Sequence, residues 1–355
     1  MPATLPDRTL PRIMVVHGVE AFDHGDVERF ISLLSPARRI VAGVMARTAA
    51  EERNLGFECP GKPPSQVFRQ FEGRCGAFLV NRGRSPDSGR IFGEIVASRL
   101  PAGEGLVQIE CSAGVVLCWN GGDARLAADI ADRAGFAFEH AEATPVPAPR
   151  AERTIRGCRA GDPVYVNGTV IGTATGDTVT IACRQGTILA IGGLDAKPHG
   201  IEKAARQGIA DLSRAWCKSG TIRCAGPLVG ARRQHCGRIC VIDHAGQTLY
   251  DALSDDVCGV LSIGDDTTAV CGHVCAHRGI PVFGIVDGDA DGILPAGFAG
   301  GSVVVHALRE RDDDIGAELA ATVRDHSYCW ETWIDEMLDW LGGRVRIAVD
   351  TRDSR

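Results

Sequence analysis

Leu261-Ser262-Ile263-Gly264-Asp265-Asp266-Thr267-Thr268 and, one helix further on, Gly284-Ile285-Val286-Asp287-Gly288-Asp289-Ala290-Asp291-Gly292 decide how the carboxyl-terminal half folds. Each is a short apolar run that stops abruptly at glycine and aspartate. Residues 267–277 between them predict one helix. Two strands joined by a single helix imply a right-handed crossover in a parallel sheet. Both acidic ends then lie on the carboxyl edge, where open α/β sheets place their ligands. Carboxylates converging in one crevice repel each other unless a cation neutralises them. Hard oxygen donors on Gly-rich turns suit Mg²⁺ or Mn²⁺. Asp287, Asp289 and Asp291 are the expected metal ligands. Asp265, Asp266 and Asp289 are the expected catalytic carboxylates, as metal partners or as a base positioning water. Thr267 and Thr268 open the helix, whose free amides favour an anion. An EF-hand loop is excluded, because the run follows a strand and its twelfth position is Phe298 instead of Glu.

Outward from this pair, residues 238–243, 302–307 and 344–349 read as further strands, with helices at 314–325 and 330–341. The amino-terminal part alternates in the same way: strands at 12–17, 39–45, 77–80, 106–110 and 115–119, helices at 27–34, 88–100 and 123–134. Its strand ends carry His17-Gly18 and Asn81-Arg82-Gly83-Arg84-Ser85. Pro145-Val146-Pro147-Ala148-Pro149 marks a linker. Residues 152–195 change character, with short β-type runs separated by Asn167-Gly168, Thr175-Gly176-Asp177 and Gln185-Gly186, of which Asn-Gly is the strongest hairpin signal. The expected fold class is α/β: two doubly wound, Rossmann-like parallel-sheet domains with a small antiparallel β insert between them. The expected bounds are 1–145, 151–197 and 198–355.

Of the 355 residues, 45% are apolar but only 5% aromatic, a balance that favours parallel sheets packed by helices over a β-sandwich. The net charge of −7 gives no support to a broad nucleic-acid-binding face. No apolar run approaches a membrane span, and the polar start lacks a secretory h-region, so a cytoplasmic protein is expected. A homo-oligomer is compatible with the sequence. Fourteen cysteines without a secretory signal read as free thiols packed as small hydrophobes, as a reducing setting would tolerate.

Other stretches carry weaker signals. Arg82, Arg84, Ser85 and Ser88, ahead of a helix, form a candidate phosphate loop, although the Gly-Lys-Ser/Thr of a Walker loop is missing. An ordinary capped turn competes with that reading. Lys203, in His199-Gly200-Ile201-Glu202-Lys203, is a further candidate phosphate contact, set against a capped surface helix. Cys271-Gly272-His273-Val274-Cys275-Ala276-His277 reads as a buried cysteine stripe beside exposed histidines, because four ligands cannot converge from one helix. Cys217, Cys224, Cys236 and Cys240 leave room for zinc or an iron–sulfur cluster, but the absence of paired Cys-x-x-Cys knuckles disfavours both. Trp330, Trp333 and Trp340 read as packing residues.

Three resemblances follow. The run Asp287–Gly292 resembles the second half of a TOPRIM motif, the Mg²⁺-binding unit of topoisomerases and primases; that family also places a Glu after an earlier strand, where this chain has Gly264-Asp265-Asp266. The same region is similar to the thiamine and hydroxymethylpterin pyrophosphokinases, whose Asp-rich strand ends hold a Mg-nucleotide, with Val303–His306 followed by Asp312–Asp314 echoing their later acidic motif. The chain as a whole resembles an uncharacterised conserved family of methanogenic archaea, through Val15-Val16-His17-Gly18, Asn81–Ser85, Val166-Asn167-Gly168 with Ile171-Gly172, His199–Lys203, and Gly279-Ile280-Pro281 leading to Asp287-Gly288-Asp289. It implies an archaeal, anaerobic setting and no activity. The expected function is a Mg²⁺-dependent enzyme acting on a phosphorylated small molecule or nucleotide, by phosphoryl or pyrophosphoryl transfer or hydrolysis. The alternatives are a non-enzymatic nucleotide- or cofactor-binding protein and a TOPRIM-like nucleic-acid-processing protein.

Overall fold

Short apolar runs become the strands of a six-stranded sheet in the amino-terminal part: β1 (Ile13–His17), β2 (Arg38–Ala42), β3 (Ala77–Asn81), β4 (Leu106–Glu110), β5 (Val115–Trp119) and β6 (Ala137–Ala141), in the order β2-β1-β3-β4-β5-β6. A computed structural model describes residues 11–71, 76–143, 152–167, 169–184, 186–206, 212, 215, 217–243, 246–287, 294 and 297–352. The chain divides into two units, residues 1–147 and 148–355. In the first, Met14 and Val16 pack into one hydrophobic cluster while Ile13 and Val15 pack into another, so both faces of β1 are covered. Every neighbouring pair is parallel except β4–β5. That pair departs from the all-parallel expectation because residues 111–114 are too short for a crossover, which needs about a dozen.

The second unit begins with seven short strands: β7 (Glu152–Arg156), β8 (Pro163–Val166), β9 (Thr169–Ala174), β10 (Thr178–Arg184), β11 (Thr187–Gly192), β12 (Leu194–Ala196) and β13 (Cys217–Ser219). They form two antiparallel sheets, β11-β10-β7 and β12-β9-β8-β13. Val164, Val166, Ile171, Val179, Ile181 and Ile188 make their shared core. The helix Pro198–Arg206 contributes Ala204 to that core. Of the predicted 200–214 span, residues 207–211, 213 and 214 lie outside the described residues.

A second six-stranded sheet follows: β14 (Cys236–Asp243), β15 (Val257–Ile263), β16 (Val282–Val286), β17 (Val303–Ala307), β18 (Tyr328–Cys329) and β19 (Val345–Asp350), ordered β18-β14-β15-β16-β17-β19. The four central strands are parallel, and β18 and β19 run antiparallel at the two edges. The result is a mixed α/β protein with parallel-containing sheets. Trp330 and Trp333 are buried on one face of this sheet, while Trp340 is half-exposed under Arg344.

The helix Asp265–Arg278 covers the opposite side and begins two residues earlier than predicted, so Asp265 and Asp266 occupy its first turn. His273 corrects the expectation of exposed histidines: it is buried together with Cys271 and Cys275. The helix is enclosed from outside by Gly246 packing on Val270, by Gly230, whose amide donates to the Ala276 carbonyl, and by Tyr250 against Arg278. Among the described residues no disulfide joins two cysteines, and no helix is long and apolar enough to cross a membrane.

A candidate acidic metal site at the carboxyl edge

Three neighbouring parallel strands, β15, β16 and β17, deliver carboxylates to one edge. Ile263 ends β15, and Gly264, at φ 98, turns the chain directly into the helix that carries Asp265 and Asp266. A side chain at that dihedral is strained, which explains glycine there. Asp287 follows the last residue of β16. Asp312 and Asp313 open the helix after β17. The hydrogen bond from the Gly264 amide to the Ile285 carbonyl holds the first two strand ends in register.

The opposing wall comes from the antiparallel β part of the same unit. The helix Pro198–Arg206 lies against β9 so tightly that a Cβ on Gly200 would stand 1.8 Å from the Val170 carbonyl oxygen. This seating turns Lys197, His199 and Lys203 toward the aspartates. Thr169, Val170, Lys197, Gly200, Lys203, Gly264, Asp265, Asp266, Asp287 and Asp312 line one shared cleft.

The charges meet closely. Lys203 Nζ lies 2.8 Å from Asp312 Oδ1, 3.3 Å from Asp313 Oδ1 and 3.9 Å from Asp287 Oδ2. Lys197 Nζ and His199 Nε2 each stand 3.9 Å from an Asp287 oxygen. Lys203 is thus a largely buried counter-ion and not a surface residue, correcting the reading as a capped surface helix. Burial works against its ammonium, but Asp312, Asp313 and Asp287 outweigh it and raise its pKa. Asp312 is 1% exposed. Burial pushes its carboxyl up, although Lys203 pulls the other way. Asp265 is displaced furthest: burial, then the charge of Asp287, with which it shares a hydrogen bond, lift it to about 8.

Of the sequence-predicted residues, the structure brings together Asp265, Asp266, Asp287 and Lys203. Asp289 and Asp291 lie outside the described residues. Thr267 and Thr268 are buried in the helix, and Thr268 Oγ1 is 2.9 Å from Ser262 Oγ. In the first unit, Ser85 and Ser88 cap the following helix reciprocally, through Ser88 N to Ser85 Oγ at 3.2 Å and Ser85 N to Ser88 Oγ at 3.0 Å. Arg82 makes a bidentate pair with Asp26 at 2.5 and 2.9 Å. Arg84 is half-buried. Gly83 N donates to the buried Glu110 carboxylate at 3.1 Å. Sequence reasoning gave no role to Lys197 and only a loose one to Asp312 and Asp313. Their signal was a third acidic run after a third strand.

No solved structure matches the chain. A relative from Methanocaldococcus jannaschii, the "Uncharacterized protein MJ0065", is 30% identical over 347 residues, covering 91% of this chain and 94% of its own length. Residues 14–327, which include the acidic edge and the wall of Lys197, His199 and Lys203, match a family of archaeal proteins, and the chain belongs to that family, described as "Uncharacterized protein conserved in archaea (DUF2117)".

Proposed function

We propose that this protein is a Mg²⁺-dependent enzyme acting on a phosphorylated small molecule or nucleotide, by phosphoryl or pyrophosphoryl transfer or hydrolysis. The observation that carries the reading is the meeting of Asp265, Asp266, Asp287, Asp312 and Asp313 with Lys197 and Lys203 in one cleft. Two partly buried carboxylates, one of them pushed up by the charge of the other, are groups that a divalent cation stabilises. The bare carboxylates would repel a phosphate. Neutralised by metal, they leave the two ammoniums to attract it. We assign the ion to Asp287 with Asp289 and Asp291, and to Asp265 and Asp266 the role of metal partner or water-positioning base. Phosphoryl transfer asks a protein mainly for positioning and charge stabilisation, which is what such a cleft offers. The finer fold reading, two doubly wound Rossmann-like sheets, accords with ligand capture at a carboxyl edge.

The test is thermal unfolding with a nucleotide panel, with and without Mg²⁺. The expected result is stabilisation that needs both components and disappears in Asp287→Asn, with circular dichroism confirming that the variant is folded. A panel showing no metal-dependent stabilisation in the wild type overturns the reading.

A further inference from the structure

His199, Asp312 and Asp313 each bring a ligand atom to within 4.8 Å of the other two. His199 comes from the β part of the unit, and the two aspartates from the helix after β17. We propose that these three residues form a separate site for a divalent transition ion of the Mn²⁺ class, distinct in ligand chemistry from the all-oxygen Mg²⁺ position. This inference concerns an ion and not a reaction, and it stands whether or not phosphate is handled in the cleft.

Acidic side chains alone do not make a site. The second observation is Asp312 Oδ2. It is buried and has no hydrogen-bond partner among the described residues, in a side chain that lines the cleft. A buried carboxylate oxygen left without a partner is destabilising. A cation at that oxygen removes the cost. The other oxygen of the same group is fully engaged: Lys203 Nζ lies 2.8 Å from Oδ1, and the Asp313 amide donates to it at 3.0 Å. Those two donors fix the carboxylate plane, leaving Oδ2 as the coordinating atom. Fixing a ligand's orientation through its far atom is the usual arrangement behind a metal ligand.

The imidazole sets the ion class. Mg²⁺ takes oxygen donors and holds its water, whereas Mn²⁺, Fe²⁺ and their heavier neighbours accept imidazole nitrogen beside carboxylates. Three protein ligands leave further positions for water or a substrate oxygen. Ligands about 2.0–2.2 Å from one ion stand about 3–4 Å from each other. The widest pair in the set therefore closes by up to about 2 Å on binding. His199 sits at the helix start and is partly exposed, so it can make that movement.

The test uses the full chain, stripped of metal, titrated with Mn²⁺ and followed by electron paramagnetic resonance. Mn²⁺ is chosen because it avoids the many thiols. In the wild type, the bound ion is expected to show coupling to an imidazole nitrogen. His199→Ala should abolish that coupling and weaken Mn²⁺ by at least about tenfold, and Asp313→Asn should weaken it similarly. Both residues are more exposed than Asp312, so these variants read the site even if Asp312→Asn fails to fold. Nitrogen coupling that persists in His199→Ala, or an unchanged Mn²⁺ affinity there, overturns the proposal. The two ideas fail separately. Nitrogen-coupled Mn²⁺ without nucleotide stabilisation sinks the reaction and leaves the ion, and Mg²⁺-dependent nucleotide stabilisation in a wild type whose bound Mn²⁺ shows no imidazole coupling does the reverse.

Discussion

Asp265 shows how one residue reports the state of the cleft. Its carboxyl, lifted to about 8 by burial and by Asp287, is protonated at neutral pH in the metal-free protein. An unfolded aspartate titrates near 3.9. Because the folded value is the higher one, the proton stabilises the fold fully below the unfolded value, and that contribution is lost as pH rises through about 8. Asp265 should therefore make the metal-free protein lose stability between about pH 4 and 8, and Asp265→Asn should flatten that slope. Denaturant melts at a series of pH values measure it; an identical slope in the variant would remove Asp265 from the account. The neighbouring Lys203–Asp312 pair is buried, and it differs from the many exposed Arg–carboxylate pairs, such as Arg38–Glu58, which contribute little in water.

At the scale of elements, the seating of the helix Pro198–Arg206 on β9 decides whether the two walls meet. A methyl group on Gly200 would collide with the Val170 carbonyl, a backbone atom that cannot rotate away. Gly200→Ala should cost about 1–3 kcal/mol and move Lys203 off Asp312. Urea unfolding reads the first effect. The second shows as weaker metal and nucleotide binding than in a surface control such as Glu202→Ala. Much of the acidic edge was legible in sequence, since Ile263-Gly264-Asp265-Asp266 and Val286-Asp287 announce strand ends by themselves. The basic wall was legible only at Lys203, as a candidate phosphate contact. Lys197 and His199 read locally as an ordinary helix start, and only the contact of Gly200 with Val170 turns the wall inward. The hairpin β4–β5 was hidden for a related reason, because periodicity shows strands but not their relative direction. His273 was misread because enclosure of a helix by segments 228–232 and 246–250 leaves no local periodic trace.

At the scale of the molecule, every described residue of the site belongs to the unit 148–355. That unit produced alone should bind Mn²⁺ as the full chain does, measured by the same resonance titration. A folded fragment that fails to bind would show that residues 1–147 contribute to the site. The Arg82–Ser88 turn belongs to the other unit, and its own groups largely satisfy one another: Arg82 with Asp26, Ser85 with Ser88, Gly83 with Glu110.

Lys203 and Asp312 stand 109 positions apart in the chain. Closing so long a loop is slow and entropically costly, and local contacts do not help it. The contact between the walls is expected to form after each wall has folded locally. A cation bound there, as proposed, would tie the β part to the α/β part like a rivet. Its departure would loosen that seam first, while each half kept its own core.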